Sequence, residues 1–369
     1  MQYKAFKDLR LSALGLGTMR LPVEGDNHSK IDVEKTRRMV DIAIENGINY
    51  FDTAWFYHDG NSESVIGQIL KDHPRESYYL ATKFPGLEFE EKLGGKRLFE
   101  EQLAKCQVDY FDFYLFHNVW EGNVEDYLAP DQEIVTYILR QKEAGRIRHL
   151  GFSTHGSLET MKRFLDAWGE HMEFGQIQLN WMDWDLENAR EKVKLLSSYG
   201  LPVWVMEPVR GGRLAQLPEQ FMAPLRAMHP DWTAPEWSFR FLHSIPEVTM
   251  VLSGMSNEQQ MRENIATFNE LHPLNEEEKQ TLFDVAKAMN LRNTLSCTGC
   301  RYCADRCPQE LDIPQIVDRY NKKLYTGKLD LSGIREEKLP ASCIGCGNCE
   351  SACPQKIKIC QMMEELSKV

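Results

Sequence analysis

Residues 14–54 read LGLGTMRLPVEGDNHSKIDVEKTRRMVDIAIENGINYFDTA, and the fold turns on this stretch. It opens on a short apolar run, 14–21, and closes on another, 49–54, each of strand length. Between them Asp32 is placed to cap a helix on which Thr36, Met39, Val40, Ala43 and Ile44 share one face. Gly47 falls where that helix must stop. Strand, helix, strand is thus the unit. Six further apolar or β-branched runs follow at 78–83, 111–117, 147–153, 175–180, 202–207 and 248–254. Amphipathic stretches fill the gaps, among them 132–144 before Gly145 and 186–199 before Gly200. Eight alternations predict an α/β fold, a closed parallel (β/α)8 barrel of the TIM type.

The rival is an open doubly wound sheet, for which Gly15-Leu16-Gly17-Thr18-Met19-Arg20 mimics a dinucleotide fingerprint. Arg20 stands where the third glycine belongs, and residues 22–30 read as loop where a helix must begin. That reading is rejected.

The chain has 369 residues, more than one domain of roughly 100–200 residues but enough for one barrel and an appendix. With 43 basic against 55 acidic residues, a net charge of −12, its surface repels phosphate backbones and anionic lipid, so neither nucleic acid nor membrane is expected as a partner. The N-terminus carries no apolar signal core and no stretch of 18 apolar residues occurs, from which a cytoplasmic location is expected.

Nine of the ten cysteines lie between Cys297 and Cys360, which marks the C-terminal part as a separate module; the boundary is expected at residues 290–291, giving a barrel of 1–290 and a module of 291–369. Two runs dominate the module: Cys297-x2-Cys300-x2-Cys303-x3-Cys307-Pro308 and Cys343-x2-Cys346-x2-Cys349-x3-Cys353-Pro354. Each is the full bacterial ferredoxin pattern, in which three closely spaced thiolates hold one 4Fe-4S cluster and the fourth cysteine ligates the other. One cluster is therefore expected at Cys297, Cys300, Cys303 and Cys353, the second at Cys343, Cys346, Cys349 and Cys307. Zinc has no use for the third x2 cysteine and the terminal Cys-Pro. Residues 313–324 read as helix, so the module is expected to be small and mainly helical. Cys106 reads as a core cysteine, and Cys360 as one packed beside a cluster.

In such a barrel, chemistry sits where strands end. Asp52, Lys83 and His117 each close a strand, and Tyr57 follows Asp52 by five residues. The set suits carbonyl reduction. Hydride addition leaves negative charge on oxygen, which an acid must quench. A phenol, with a pKa of about 10, can serve if a cation lowers that value. Lys83 would be the cation, Asp52 its counter-charge, a neutral His117 the group that orients the carbonyl, and Tyr57 the acid. His149 and His155 read as a strand residue and a loop polar residue.

In these residues, Asp52-Thr-Ala-Trp-Phe-Tyr57 with Lys83 in ATK and His117 in LFH, the sequence resembles the aldo-keto reductase family, of the type fused to a ferredoxin domain with two 4Fe-4S clusters. The resemblance runs over residues 1–290, through LGLGT, GFST, QLN, GGRL and SGMSNEQQMREN. It implies a nicotinamide cofactor, NADP or NAD, lying over the barrel mouth. Ser153 and Gln178 would hold its carboxamide, and Gly254, Ser256, Gln260 and Asn264 its adenosine end. Gly17, Thr18, Met19 and Met206 complete the implied cofactor-binding set. The chain departs from the family pattern where an aromatic residue often stacks on the nicotinamide, reading Met206-Glu207-Pro208, and where an Asn often follows the serine, reading Thr154. A flavin is the alternative cofactor.

The expected function is an oxidoreductase that interconverts a small-molecule carbonyl and an alcohol by hydride transfer, coupled to single-electron transfer through the clusters. Nicotinamide delivers two electrons and a cluster passes one, so the coupling calls for a flavin, a substrate radical or a redox partner protein. The alternative is an electron-transfer subunit whose barrel is a scaffold or flavin-binding module that docks such a partner.

Overall fold

The computed structural model describes residues 1–25, 27–86, 95–129, 133–270, 272–290 and 294–368. The chain divides into two compact units, Met1–Pro208 with Glu236–Leu274, and Val209–Pro235 with Asn275–Val369.

The first unit begins with an antiparallel hairpin of β1 (Tyr3–Phe6) and β2 (Leu9–Ser12), which the sequence reading did not identify. Eight parallel strands follow, one from each expected run: β3 (Leu14–Gly17), β4 (Tyr50–Asp52), β5 (Tyr79–Phe84), β6 (Phe111–Phe116), β7 (Ile147–Thr154), β8 (Phe174–Gln178), β9 (Val203–Met206) and β10 (Val248–Ser253). They close in the order β10-β3-β4-β5-β6-β7-β8-β9. The first run is shorter than its apolar stretch, because Thr18–Arg20 turn into a 3-10 helix.

The hairpin closes the N-terminal end of the barrel. Phe6 and Leu11 join Tyr50, Phe113, Phe174, Trp204 and Met250 in one buried cluster, and the Phe6 ring meets Trp204 edge-on at 5.0 Å. Only the opposite end, where the strands finish, is left for chemistry. The helix Val33–Glu45 forms as its sequence dictates, the Asp32 carboxylate accepting from the Lys35 N–H at 3.0 Å. At Gly47 the backbone takes φ +88°, and a Cβ there would lie 2.5 Å from the Tyr3 hydroxyl oxygen, so glycine ends the helix for two reasons.

In the second unit the helix Glu219–Met228 packs on the helix Glu276–Asn290. The Arg213 guanidinium donates to the Leu295 carbonyl at 2.8 Å. Compactness thus groups the stretch after β9 with the cysteine-rich module, a long-range association that the distribution of cysteines does not reveal. The expected boundary at 290–291 borders residues 291–293, which lie outside the described residues. The module is built on the helices Ile313–Thr326 and Ile359–Ser367, with the short helix Asn348–Ser351. Leu311, Ile313, Ile316, Val317, Ile357, Ile359, Met362, Met363 and Leu366 form its core together with Cys303, Cys349 and Cys353.

Candidate functional site

The four expected catalytic residues converge at the C-terminal ends of β4, β5 and β6. The Lys83 ammonium lies 2.6 Å from Asp52 Oδ1 and 2.7 Å from the Thr53 carbonyl. Both partners of the pair are buried. Burial pushes the Asp52 carboxyl up and the Lys83 ammonium down, and each is held charged by the other. The Tyr57 ring stands above the ammonium, 5.1 Å from Nζ to its centroid, and meets the His117 ring at 6.1 Å, nearly perpendicular. Burial, and then the Lys83 charge, drives the His117 pKa well below its ordinary value, so the imidazole is neutral. Two atoms of this group, Asp52 Oδ2 and His117 Nδ1, are buried without a hydrogen bond among the described residues.

A buried polar layer fixes the ion pair from behind. Thr18 Oγ1 donates to the Asp52 carbonyl at 2.9 Å, and Ser62 Oγ links Thr18 and Thr53 at 2.8 and 2.9 Å. Glu63, on the helix Ser62–Leu70, accepts from Thr82 and Gln102, both at 2.7 Å, while Gln102 also donates to the Lys83 carbonyl at 2.9 Å. Sequence reading missed Ser62, Glu63 and Gln102, because polar residues on a helix read as surface until the helix is packed. Trp55, between Asp52 and Tyr57, carries the Lys105 ammonium over its ring at 3.8 Å.

The residues expected to bind a cofactor fall into three places. Thr18, buried in the layer just described, adjoins Gly17 and Met19 at the end of β3. Ser153, Gln178 and Met206 end β7, β8 and β9, but they have protein partners: Ser153 Oγ accepts from the Asn118 N–H at 2.9 Å, Gln178 bonds His155 and Asp183, and the Met206 sulfur lies 3.9 Å from Gln176 Nε2. Gly254 and Ser256 are exposed beside the start of the helix Glu258–Asn269, where the Ser256 N–H donates to the Gln260 side chain at 2.8 Å. Asn264 lies inward of them, buried and donating to Ser253 Oγ at 3.1 Å. His155, read from the sequence as a loop residue, is bonded into the strand ends beside His117.

The module's cysteines gather into two cavities. One is lined by Cys297, Cys300, Cys303 and Cys353, the other by Cys307, Cys343, Cys346, Cys349 and Cys360. Each motif therefore lends its fourth cysteine to the other motif's cavity, as the spacing predicts. Around the thiols both linings are largely apolar, and Ile313 and Ile359 border the two cavities alike. Among the described residues no three His, Cys, Asp or Glu side chains converge on a single metal ion. Four motif cysteines on each cavity, drawn from both motifs, are a donor set that fits a cluster with a thiophilic metal at each corner. Burial and then the neighbouring thiols raise the Cys303 pKa above its ordinary value, and Cys349 is pushed up to about 12, so thiolates here need cationic ligation.

The barrel, with its titratable set at the strand ends, is the architecture of an oxidoreductase family. The family model for aldo/keto reductases matches residues 13–287, and that for a 4Fe-4S dicluster domain matches residues 296–358. The chain belongs to the aldo/keto reductase family and is an oxidoreductase with a C-terminal iron-sulfur domain. Among its relatives are the uncharacterized oxidoreductase YqkF of Bacillus subtilis (strain 168), 28% identical over 74% of this chain and 92% of that one, and the NADH-specific methylglyoxal reductase of Escherichia coli (strain K12), 27% identical over 71% and 91%. The aldo-keto reductase AKR11C1 from Bacillus halodurans, in its holo form, superposes with a TM-score of 0.63 at 28% identity, over 78% of this chain and 97% of that one. An aldo-keto reductase from Klebsiella pneumoniae, solved with NADPH, shares the fold with a TM-score of 0.62 at 23% identity, over 78% and 96%. No helix among the described residues is long and apolar enough to cross a membrane.

Proposed function

We propose that the barrel interconverts a small-molecule carbonyl and its alcohol with NADH or NADPH, and that the C-terminal unit holds two 4Fe-4S clusters that pass single electrons. The observation that carries the reading is the buried Lys83–Asp52 pair beneath the Tyr57 ring, with His117 facing it.

A bound nicotinamide supplies the hydride. As negative charge develops on the carbonyl oxygen, the Tyr57 hydroxyl gives it a proton, and the Lys83 ammonium stabilises the phenolate left behind. Asp52 keeps Lys83 protonated in a place that would otherwise neutralise it. The neutral His117 contributes a hydrogen bond to the oxygen and adds no charge that would compete with Lys83. In the other unit, Cys297, Cys300, Cys303 and Cys353 would hold one cluster and Cys307, Cys343, Cys346 and Cys349 the second. Clusters so held would supply one-electron transfer, for which a redox partner protein would serve as acceptor.

The test is an absorption spectrum of anaerobically purified protein, with iron, sulfide and flavin assayed, before and after NADH or NADPH. Aldehyde reduction is measured alongside in Tyr57→Phe and Cys303→Ser. The reading expects Tyr57→Phe to lower kcat by about 10²–10⁴-fold with cluster content intact. Unchanged turnover in Tyr57→Phe combined with loss in Cys303→Ser would sink it and favour an electron carrier with a scaffold barrel. Bleaching of the cluster absorbance by nicotinamide would join the two activities; unbleached clusters would assign them to the partner.

A further inference from the structure

His155 directly follows β7. Strand register places it, because Phe116 of β6 pairs with Phe152 of β7 and Thr154 of β7 with Ile177 of β8. His117, His155 and Gln178 consequently stand at the ends of three adjacent strands. The His155 N–H donates to Asn118 Oδ1 at 3.2 Å, and its Nδ1 lies 3.1 Å from Gln178 Oε1.

A chain of forced orientations fixes which nitrogen of His155 carries the proton. Asn180 Oδ1 accepts from the N–H groups of Met182 and Asp183 at 3.1 and 2.9 Å, so its amide Nδ2 must point the other way, to Asp183 Oδ2 at 2.6 Å. The same carboxylate oxygen takes Gln178 Nε2 at 2.8 Å. A carboxylate only accepts, so the Gln178 amide cannot be flipped, and its Oε1 must face His155. That oxygen also only accepts, so His155 Nδ1 donates. Burial, with Lys192 nearby, lowers the His155 pKa to about 4, and a neutral ring protonated on Nδ1 has a bare Nε2. The hydrogen bonds of His155 run from its backbone N–H and its Nδ1, to Asn118 and Gln178. His117 has the complementary arrangement. Its Nδ1 is buried without a partner among the described residues, where a bare nitrogen costs less than an orphaned N–H, so Nε2–H is left to donate. Neighbouring strand ends then hold two donors, Tyr57 and His117, and one side chain with a bare acceptor nitrogen, His155.

We propose that His155 is a ligand-binding residue of this site, its Nε2 held bare to accept a hydrogen bond from an O–H or N–H beside the reacting carbonyl. The donor is either a hydroxyl on the substrate carbon next to the carbonyl or the carboxamide N–H of the nicotinamide. The inference rests on the reductase reading for the first source and on dinucleotide binding alone for the second.

The experiment uses the full-length, cluster-loaded protein and His155→Phe, with His155→Gln as the variant that restores an acceptor. Nitrogen-15 spectra of labelled histidine give the tautomer: a bare Nε2 at pH 7 is expected, and a bare Nδ1 or a charged ring overturns the proposal. The kcat/KM ratio for glyceraldehyde over propanal and the Kd ratio for NADH against its 3-acetylpyridine analogue, which lacks the amide N–H, separate the sources. His155→Phe is expected to shift one of the two ratios by about tenfold or more, with recovery in His155→Gln. A shift in the aldehyde ratio identifies a substrate hydroxyl, and a shift in the dinucleotide ratio identifies the carboxamide. If neither ratio moves, the proposal fails. If the unaltered protein reduces neither aldehyde, the reductase reading fails at that point, while the tautomer and the dinucleotide ratio still decide this one.

Discussion

His58 shows how one buried side chain makes stability depend on pH. Its Nε2 accepts from the Leu21 N–H at 3.1 Å, its Nδ1 bonds the His28 carbonyl at 2.7 Å, and the His28 ring stacks on it at 4.4 Å. Burial lowers its pKa to about 4, below the unfolded value of about 6.5. The folded state thus binds fewer protons than the unfolded chain between those values. The stability this confers is present above pH ~6.5 and is lost as pH falls towards ~4, which amounts to roughly 2 kcal/mol between pH 7 and 5. Urea unfolding at the two pH values should show that loss in the unaltered protein and a smaller loss in His58→Asn. An equal loss in both would place the effect elsewhere. This position was illegible in the sequence, since a histidine flanked by Tyr57 and Asp59 reveals neither its depth nor its partners. The meeting of Asp52, Tyr57, Lys83 and His117 was legible because each lies at or near the end of an apolar run of strand length.

At the scale of elements, the helix Ser62–Leu70 carries Ser62 and Glu63 into the layer behind the ion pair, and it does so by lying against the helix Gly95–Cys106. Gly67 permits that approach: a Cβ there would lie 2.5 Å from the backbone of Cys106. Backbone cannot swing aside as a side chain can. Gly67→Ala is therefore expected to destabilise the barrel by about 1–3 kcal/mol despite its better helix propensity, read as a lower midpoint in chemical unfolding. A midpoint at or above that of the unaltered protein would show that the helices can separate without cost. Helix existence was readable here from period and caps, whereas helix contact was not. The β1–β2 hairpin escaped for a related reason. Its residues alternate weakly, and what holds it is the open end of a barrel that the sequence does not display.

For the whole molecule, the distribution of core residues separates two kinds of stability. The cluster of Phe6, Tyr50, Phe113, Phe174, Trp204 and Met250 inside the barrel contains no cysteine, and Cys106, buried elsewhere in that unit, belongs to neither motif, whereas Cys303, Cys349 and Cys353 are part of the C-terminal core. Removing iron with a chelator under reducing, anaerobic conditions is expected to cost the helices Ile313–Thr326 and Ile359–Ser367 their packing. Limited proteolysis should then cut within residues 294–368 well before the barrel, and circular dichroism should record a loss of helix. Identical cleavage patterns with and without iron would show that the module stands on its apolar residues alone.

By itself the sequence determined the strand count, the closure into a parallel barrel, the gathering of Asp52, Tyr57, Lys83 and His117 at one end of it and the exchange of the fourth cysteine between the two cavities. All of these are carried by local spacing: apolar runs of strand length, caps and glycines at helix ends, and thiols with two or three residues between them. Tertiary structure alone decided the hairpin plug, the buried Glu63–Gln102 layer, the association of Val209–Pro235 with the cysteine-rich unit and the tautomer of His155. Each depends on groups far apart in the chain whose hydrogen bonds and contacts exist only once the strands are in register, and no local pattern encodes them.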